Sequence, residues 1–274
     1  MRLQTTLTSS APSAEVLDLF AVPESAEPLP GGRGAFVAGD LVLSRVEVGD
    51  RVDRSWLAPT LARLAVLLDE QPGRGPGSLR IAVPVPARDG SIVVDGWEAH
   101  RFEPGTRVVE DVAVIRAAGR LLHARLASHI GRPVGIDLPT LEDLAGPADL
   151  ADPAPHARRA RSLITQTELL RATMPTPPEG PRQVVHASLP GRVLIDASGA
   201  PVILQVVAAW DTAARADARC LVQAIVTGRA DPADLDALSL VQKVSVLDVL
   251  PALIGRAQPE ELGAYADVLG RSAW

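Results

Sequence analysis

Asparagine is absent from all 274 residues, and lysine occurs once, as Lys243. Chemistry that needs an asparagine amide, or a lysine ammonium in the N-terminal half, is therefore closed to this chain. Cysteine also occurs once, as Cys220 in an apolar helical pattern, which excludes disulfides and cysteine-built zinc sites. Cys220 reads as a core residue. A basic excess is missing too: 27 Lys and Arg stand against 33 Asp and Glu. A net charge of −6 offers no surface for neutralising phosphates, so a nucleic-acid partner is not expected. No apolar run is long enough for a signal peptide or a membrane span. The expectation is a cytoplasmic protein with no membrane partner.

What is present is ordinary for a globular chain: 47% apolar and 22% charged residues. The length allows one large domain or two lobes, with a core that needs no staples. The abundance of Ala, Arg, Pro and Gly points to a GC-rich source.

Taken in order, Ser13–Phe20 reads as a short helix with Ser13 as N-cap. Residues 29–46 read as strand, glycine-rich turn (Gly32, Arg33, Gly34) and strand, with a second turn at Gly39-Asp40. A glycine-rich loop between strands can bring N–H groups against phosphates, or can simply be a turn. Arg54–Leu68 is a helix with Trp56, Leu57, Leu61, Leu64 and Leu68 on one stripe; its Pro59 is tolerable only in the first turn. Leu79–Val85 and Ser91–Trp97 follow as strands, and 71–78 as a Pro/Gly loop. The small lobe is expected to end at Trp97, giving a β-rich 1–97 and a mainly helical 98–274. Helical patterns cover 108–130, 157–173, 211–227, 235–254 (interrupted by Pro251) and 259–269, with Asp211 as a cap.

Between these helices lies Val184–Trp210. Val193–Ile195 and Val202–Val207 flank an Asp196-Ala-Ser-Gly199 turn, the pattern of a β-hairpin, and His186 with a Leu-Pro-Gly turn precedes it.

Four segments in order, P-L-P-G-G-R-G-A-F-V-A-G-D-L-V-L at 28–43, V-V-D-G-W-E-A-H-R-F-E-P-G at 93–105, G-R-L-L-H-A-R-L at 119–126 and Q-V-V-H-A-S-L-P-G-R-V-L at 183–194, resemble the aminoglycoside phosphotransferase-like (kinase-like) superfamily. They are most similar to a poorly characterised actinobacterial branch. The resemblance spans nearly the whole chain. It implies an α+β, bilobed, protein-kinase-like fold with a cleft between lobes near Trp97.

Enzymes of this kind transfer a γ-phosphoryl group by positioning and by neutralising charge. The family's catalytic loop reads H-G-D-L, its Asp accepting the substrate proton, followed by a metal-binding Asn. By that resemblance His186 is kept, Ser188 stands at the Asp, and Arg192 at the Asn. On the far side of the hairpin, Gln205 stands where a second metal ligand, an Asp, belongs, and no acid lies between Ala197 and Trp210. At the strand position of the phosphate-binding lysine the chain has Ser44 or Arg45, and helix 54–68 has no Asp or Glu to partner it. Mg-ATP phosphotransfer is thus not expected, and no cofactor or metal is implied.

Two readings follow. One is a degenerate, pseudokinase-like protein that binds a small molecule or a protein partner. The other is a fold repurposed for a cyclisation, elimination or rearrangement in specialised metabolism, with His186, Ser188, Arg192 and Gln205 lining its pocket. His186 is either a structural residue bonding backbone or an acid–base group. Arg192 either pairs with an anionic ligand or internal acid, or is a solvated loop arginine. Ligand contacts are expected from Gly32, Arg33, Gly34, Arg45, Trp97 and Arg192. His100, His123, His129 and His156 show no metal-ligand spacing.

Overall fold

A computed structural model of the chain describes residues 11–23, 25–46, 52–70, 78–145 and 154–271. The elements run α1 (Ala14–Leu19), β1 (Glu27–Pro28), β2 (Phe36–Ala38), β3 (Leu41–Arg45), α2 (Arg54–Asp69), β4 (Arg80–Ile81), β5 (Pro84–Val85), β6 (Val93–Val94), β7 (Trp97–Arg101) and β8 (Arg107–Val108). Then come α3 (Val112–His129), α4 (Pro155–Thr173), β9 (Arg182–His186), β10 (Val193–Ile195), β11 (Pro201–Ile203), β12 (Ala208–Thr212), α5 (Ala213–Val226), α6 (Leu240–Ile254) and α7 (Leu262–Leu269). This is an α+β fold with strands concentrated in the N-terminal region and helices in the C-terminal region. No described helix is long and apolar enough to cross a membrane.

The chain gathers into two compact units. The first holds the described residues of Met1–Val48, Asp53–Glu110 and Gly191–Gln205; the second is built mainly from Asp111–Pro190 and Val206–Trp274. The first unit thus runs past Trp97, where the sequence reading ended its small lobe. The reason is local. Asp95 and Gly96 both adopt positive φ (47° and 75°), turning the chain back so that 97–101 enter the sheet as a long strand.

In the first unit, one sheet has the order β1-β2-β3-β7-β5, with β6 also on β7. A second sheet, β4-β11-β10-β8, joins the 193–203 hairpin to strands from before Glu110. Alternation along β3 feeds two cores. Leu41 and Leu43 pack with Val16, Phe36, Trp97 and Ala99, whereas Val42 packs with Leu29, Val108, Leu194 and Leu204. Helix α2 starts at Asp53, whose carboxylate accepts the Ser55 N–H at 2.8 Å. Leu57, Leu61, Leu64 and Leu68 are buried as the periodicity predicts, whereas Trp56, expected on the same stripe, is only half-buried. Pro59 departs from expectation, lying in the second turn. There it removes one i→i−4 bond, to Ser55, and both residues are exposed.

In the second unit, β12 and β9 pair from Ala208↔His186 to Thr212↔Arg182. Around them the core unites α4, α5, α6 and α7 through Leu163, Leu221, Val222, Leu247, Leu250, Ile254 and Val268. Arg116 of α3 donates from Nε and Nη2 to the two oxygens of Asp217 on α5, at 2.9 and 2.6 Å. Pro251 lies inside α6, which runs on to Ile254 without the i→i−4 bond from residue 251 to Leu247. Cys220 is buried in α5, where burial pushes its thiol up to about 12, as suits a core residue.

Candidate functional site

The hairpin forms, but its second strand ends at Ile203, short of the Val207 that the apolar run predicts. Val193, Leu194 and Ile195 pair with Ile203, Val202 and Pro201. Gly199 supplies the positive φ of the turn, and Asp196 Oδ1 accepts the Ser198 and Ala200 N–H groups at 2.8 and 2.9 Å. Arg80 lies 3.4 Å from the other carboxylate oxygen, so Asp196 is spent on the turn and on an ion pair.

The hairpin's two ends carry Arg192 and Gln205. Both side chains are buried, and Arg192 Nε donates to Gln205 Oε1 at 3.0 Å. Gln205 Nε2 in turn donates to Glu98 Oε2 and to the Arg45 carbonyl, each at 3.3 Å. Glu98 Oε1 accepts from Arg54 Nε at the start of α2. A buried chain of hydrogen bonds, Arg192–Gln205–Glu98–Arg54, therefore crosses the first unit. Glu98 and Arg54 escape the sequence reading, which ends the strand at Trp97.

The β3–β7 register shows what the pair replaces. Ser44 lies opposite Glu98, and Arg45 opposite Trp97. Where the resemblance expects a strand cation with a helix acid, the acid is on the sheet and the cation on the helix. Arg45 itself is exposed, its guanidinium 4.7 Å from the centre of the Trp97 ring. Trp97 is fully buried and meets Phe36 edge-on at 5.7 Å, so it is a core residue rather than a ligand-facing one. Close by, His100 Nε2 is 3.9 Å from Glu98 Oε2. Burial drives the His100 ring down to about 4; Glu98 opposes that shift, while Arg54 and Arg192 add to it.

The glycine-rich turn sits directly on the hairpin's entry. Gly191 has φ +79°, and a β-carbon there would lie 2.6 Å from Arg33 Cγ and 3.3 Å from the Arg33 nitrogen. Two amides of the turn are used internally: Gly32 N–H donates to the Leu29 carbonyl at 3.0 Å and Gly34 N–H to the Gly32 carbonyl at 2.8 Å.

In the second unit, His186 Nδ1 accepts the Ser188 N–H at 3.2 Å, and the His186 N–H donates to His123 Nε2 at 3.1 Å. This is the backbone-bonding role. His123, which spacing alone leaves without a part, is thereby tied into the loop, and Gln183 Nε2 donates to its carbonyl at 2.7 Å. Burial lowers His123 to about 4. Leu189 packs against Gly119 of α3. Asp211 does not cap α5 as expected; Thr212 does, its hydroxyl accepting from Arg215 N–H. Instead the fully buried Asp211 carboxylate accepts from the Leu141 and Thr212 N–H groups and from Arg215.

A polar cavity of about 310 Å³ lies within the second unit, among Arg171, Arg182, Arg215, Glu142 and Asp248, and one of about 50 Å³ within the first, beside Phe102 and Leu204. Neither is lined by His186, Ser188, Arg192 or Gln205. Among the described residues, no group of three or more His, Cys, Asp or Glu is arranged to hold a metal ion.

No protein-family profile matches the chain, and no curated protein matches it in sequence. Solved structures do match in fold. Choline kinase LicA from Streptococcus pneumoniae superposes with a TM-score of 0.50 at 12% identity, over 94% of this chain and 90% of that one. An amicoumacin kinase, hAmiN, solved with AMP-PNP, Ca2+ and Ami, superposes with a TM-score of 0.52 at 12% identity, over 90% and 87%. The chain has a kinase-like fold.

Proposed function

We propose that this protein is a catalytically degenerate, pseudokinase-like member of the kinase-like fold, which binds a small ligand or a protein partner in place of Mg-ATP phosphotransfer. One observation carries the reading. The two positions that the resemblance assigns to metal ligands hold Arg192 and Gln205, hydrogen-bonded to each other at 3.0 Å. Mg2+ takes oxygen ligands, usually including carboxylates, in near-octahedral geometry. A guanidinium there repels the ion, and the Gln205 carbonyl already accepts the Arg192 hydrogen. These residues do not fit the metal.

The neighbouring positions agree. Ser188 is no general base near neutral pH. The sheet presents Glu98, an anion, near the place where a strand lysine would meet phosphates. An enzyme repurposed around His186 is the weaker reading, because His186 is buried and lines neither of the two cavities described above.

Calorimetric titration with ATP, with and without Mg2+, tests the proposal. The expected outcome is no Mg2+-dependent binding and no ATP consumption. Robust ATP turnover by the purified chain overturns it.

A further inference from the structure

The cavity of about 310 Å³ in the second unit has the size of a small-molecule site, for which about 300–1,000 Å³ is usual. It lies at the end of the β9–β12 ladder away from His186, where Arg182 pairs with Thr212. Most of its polar wall is already committed. Arg171 Nε donates to Asp248 at 2.8 Å, and Arg215 donates to Glu142 at 2.5 Å and to Asp211 at 3.3 Å. The Ser245 hydroxyl donates to the Val241 carbonyl, and the Thr212 hydroxyl accepts the Arg215 N–H. Two charged side chains of the lining are left over. Among the described residues, neither Arg182 nor Glu179 makes a side-chain hydrogen bond or ion pair. They are of opposite charge and three positions apart, yet do not pair with each other. The loop that carries them contains Pro177, Pro178 and Pro181, whose fixed φ leaves it little freedom to bring the two charges together. A stiff loop also lowers the cost of ordering these groups around a ligand.

The lining as a whole sets the ligand's charge. It holds four acids, Glu142, Glu179, Asp211 and Asp248, against three arginines. A bare anion would meet that surplus of negative charge, and a bare cation would leave Arg182 unused. A molecule carrying both signs engages both free groups. Guanidinium donors match a carboxylate in bidentate fashion, and a carboxylate accepts from an ammonium. Between the charges runs an apolar strip from the first turns of α6, with Val244 buried and Val241 43% exposed.

We propose that this cavity binds a free amino acid with an apolar side chain: Arg182 holds its carboxylate, Glu179 its ammonium, and Val241 and Val244 its side chain. The inference deepens the reading above by naming the small ligand, and rests on that reading only in taking the protein for a binder.

The test is thermal unfolding of the full chain with L-leucine, L-isoleucine, L-methionine and L-phenylalanine at matched ionic strength and pH 7.5. At least one is expected to raise the midpoint saturably, by about 2 °C or more. The amide of that amino acid, which lacks the carboxylate, and its N-acetyl form, which lacks the ammonium, are expected to raise it by less than half as much. Exposed ion pairs are individually weak, so Arg182→Gln and Glu179→Gln should each remove the response. Both residues are exposed and unbonded, so without ligand both variants should melt within about 1 °C of wild type. The variants also subtract the general stabilisation that a co-solute gives any folded protein. No response to any of the four amino acids overturns the proposal. An undiminished response in either variant, or an equal one to the amide or N-acetyl form, overturns it too. ATP turnover would overturn the pseudokinase reading and leave this site standing, so the two proposals fail separately.

Discussion

Gly191 holds its backbone at φ +79° with the Arg33 side chain and nitrogen packed against it. Two effects therefore resist any side chain at this position. A non-glycine residue in the left-handed region is strained, and its β-carbon must displace Arg33. Gly90 has a similar φ of +86° but no neighbour within 4 Å, so it isolates the first effect. Gly191→Ala is expected to lose about 2–3 kcal/mol and Gly90→Ala about 1 kcal/mol, measured by urea unfolding. Equal losses would show that the contact with Arg33 contributes nothing. Glu98 marks the limit of residue-level reading. Within Val93–Gly105, Trp97, Glu98 and His100 lie within four positions and are individually unremarkable. Their meaning depends on a β3–β7 register set by residues more than fifty positions apart. The one local hint is alternation, with Trp97 and Ala99 on one face and Glu98 and His100 on the other.

At the scale of elements, what the sequence makes legible is what short-range chemistry decides. Ser13 and the Asp196–Gly199 turn do what their residue types predict, because caps and turns close over two to four residues. Asp211 fails the same test for a nonlocal reason: the Leu141 N–H and the Arg215 side chain claim its carboxylate, and Thr212 takes over the cap. The α3–β9 junction is likewise nonlocal, since His123 accepts the His186 N–H across 63 positions. That bond needs an unprotonated Nε2, and burial provides one by lowering His123 to about 4. His100 is lowered to about 4 by the same cause. Above pH 6.5 both rings are neutral in folded and unfolded chains. As pH falls from 6.5 toward about 4, the unfolded chain takes up protons that the folded one refuses, so stability present at neutral pH is lost. Each ring contributes a slope of at most about 1.4 kcal/mol per pH unit in that window. Urea unfolding at pH 7.5, 5.5 and 4.5 should show this decline. His123→Gln, which preserves an acceptor for the His186 N–H, should make it shallower; an unchanged slope would mean that His123 does not contribute.

For the whole molecule, the decisive feature is that the first unit is discontinuous in sequence. β4 pairs with β11 and β8 with β10, and the core beneath them needs Leu194 and Leu204 as much as Leu29 and Val108. A fragment of residues 1–110 would leave β4 and β8 without partners in that sheet and half of this core open. It is expected to show no cooperative urea transition by circular dichroism, whereas the full chain does. A cooperative transition in the fragment would show that the hairpin is dispensable to the unit. The sequence reading places the hairpin correctly but groups it with the helices around it, since neighbours in the chain carry no mark of which sheet they join.

The same discontinuity sets an order of events during synthesis. Residues 1–110 leave the ribosome without their last two strands, and the missing piece is complete only at Gln205. At about 5–20 residues per second, the first unit waits roughly 5–20 s with an unfinished sheet edge while α3, α4 and β9 are made. In that interval Leu29, Val42 and Val108 lack their later partners. The nascent N-terminal unit is the part of this chain that a chaperone would be expected to hold.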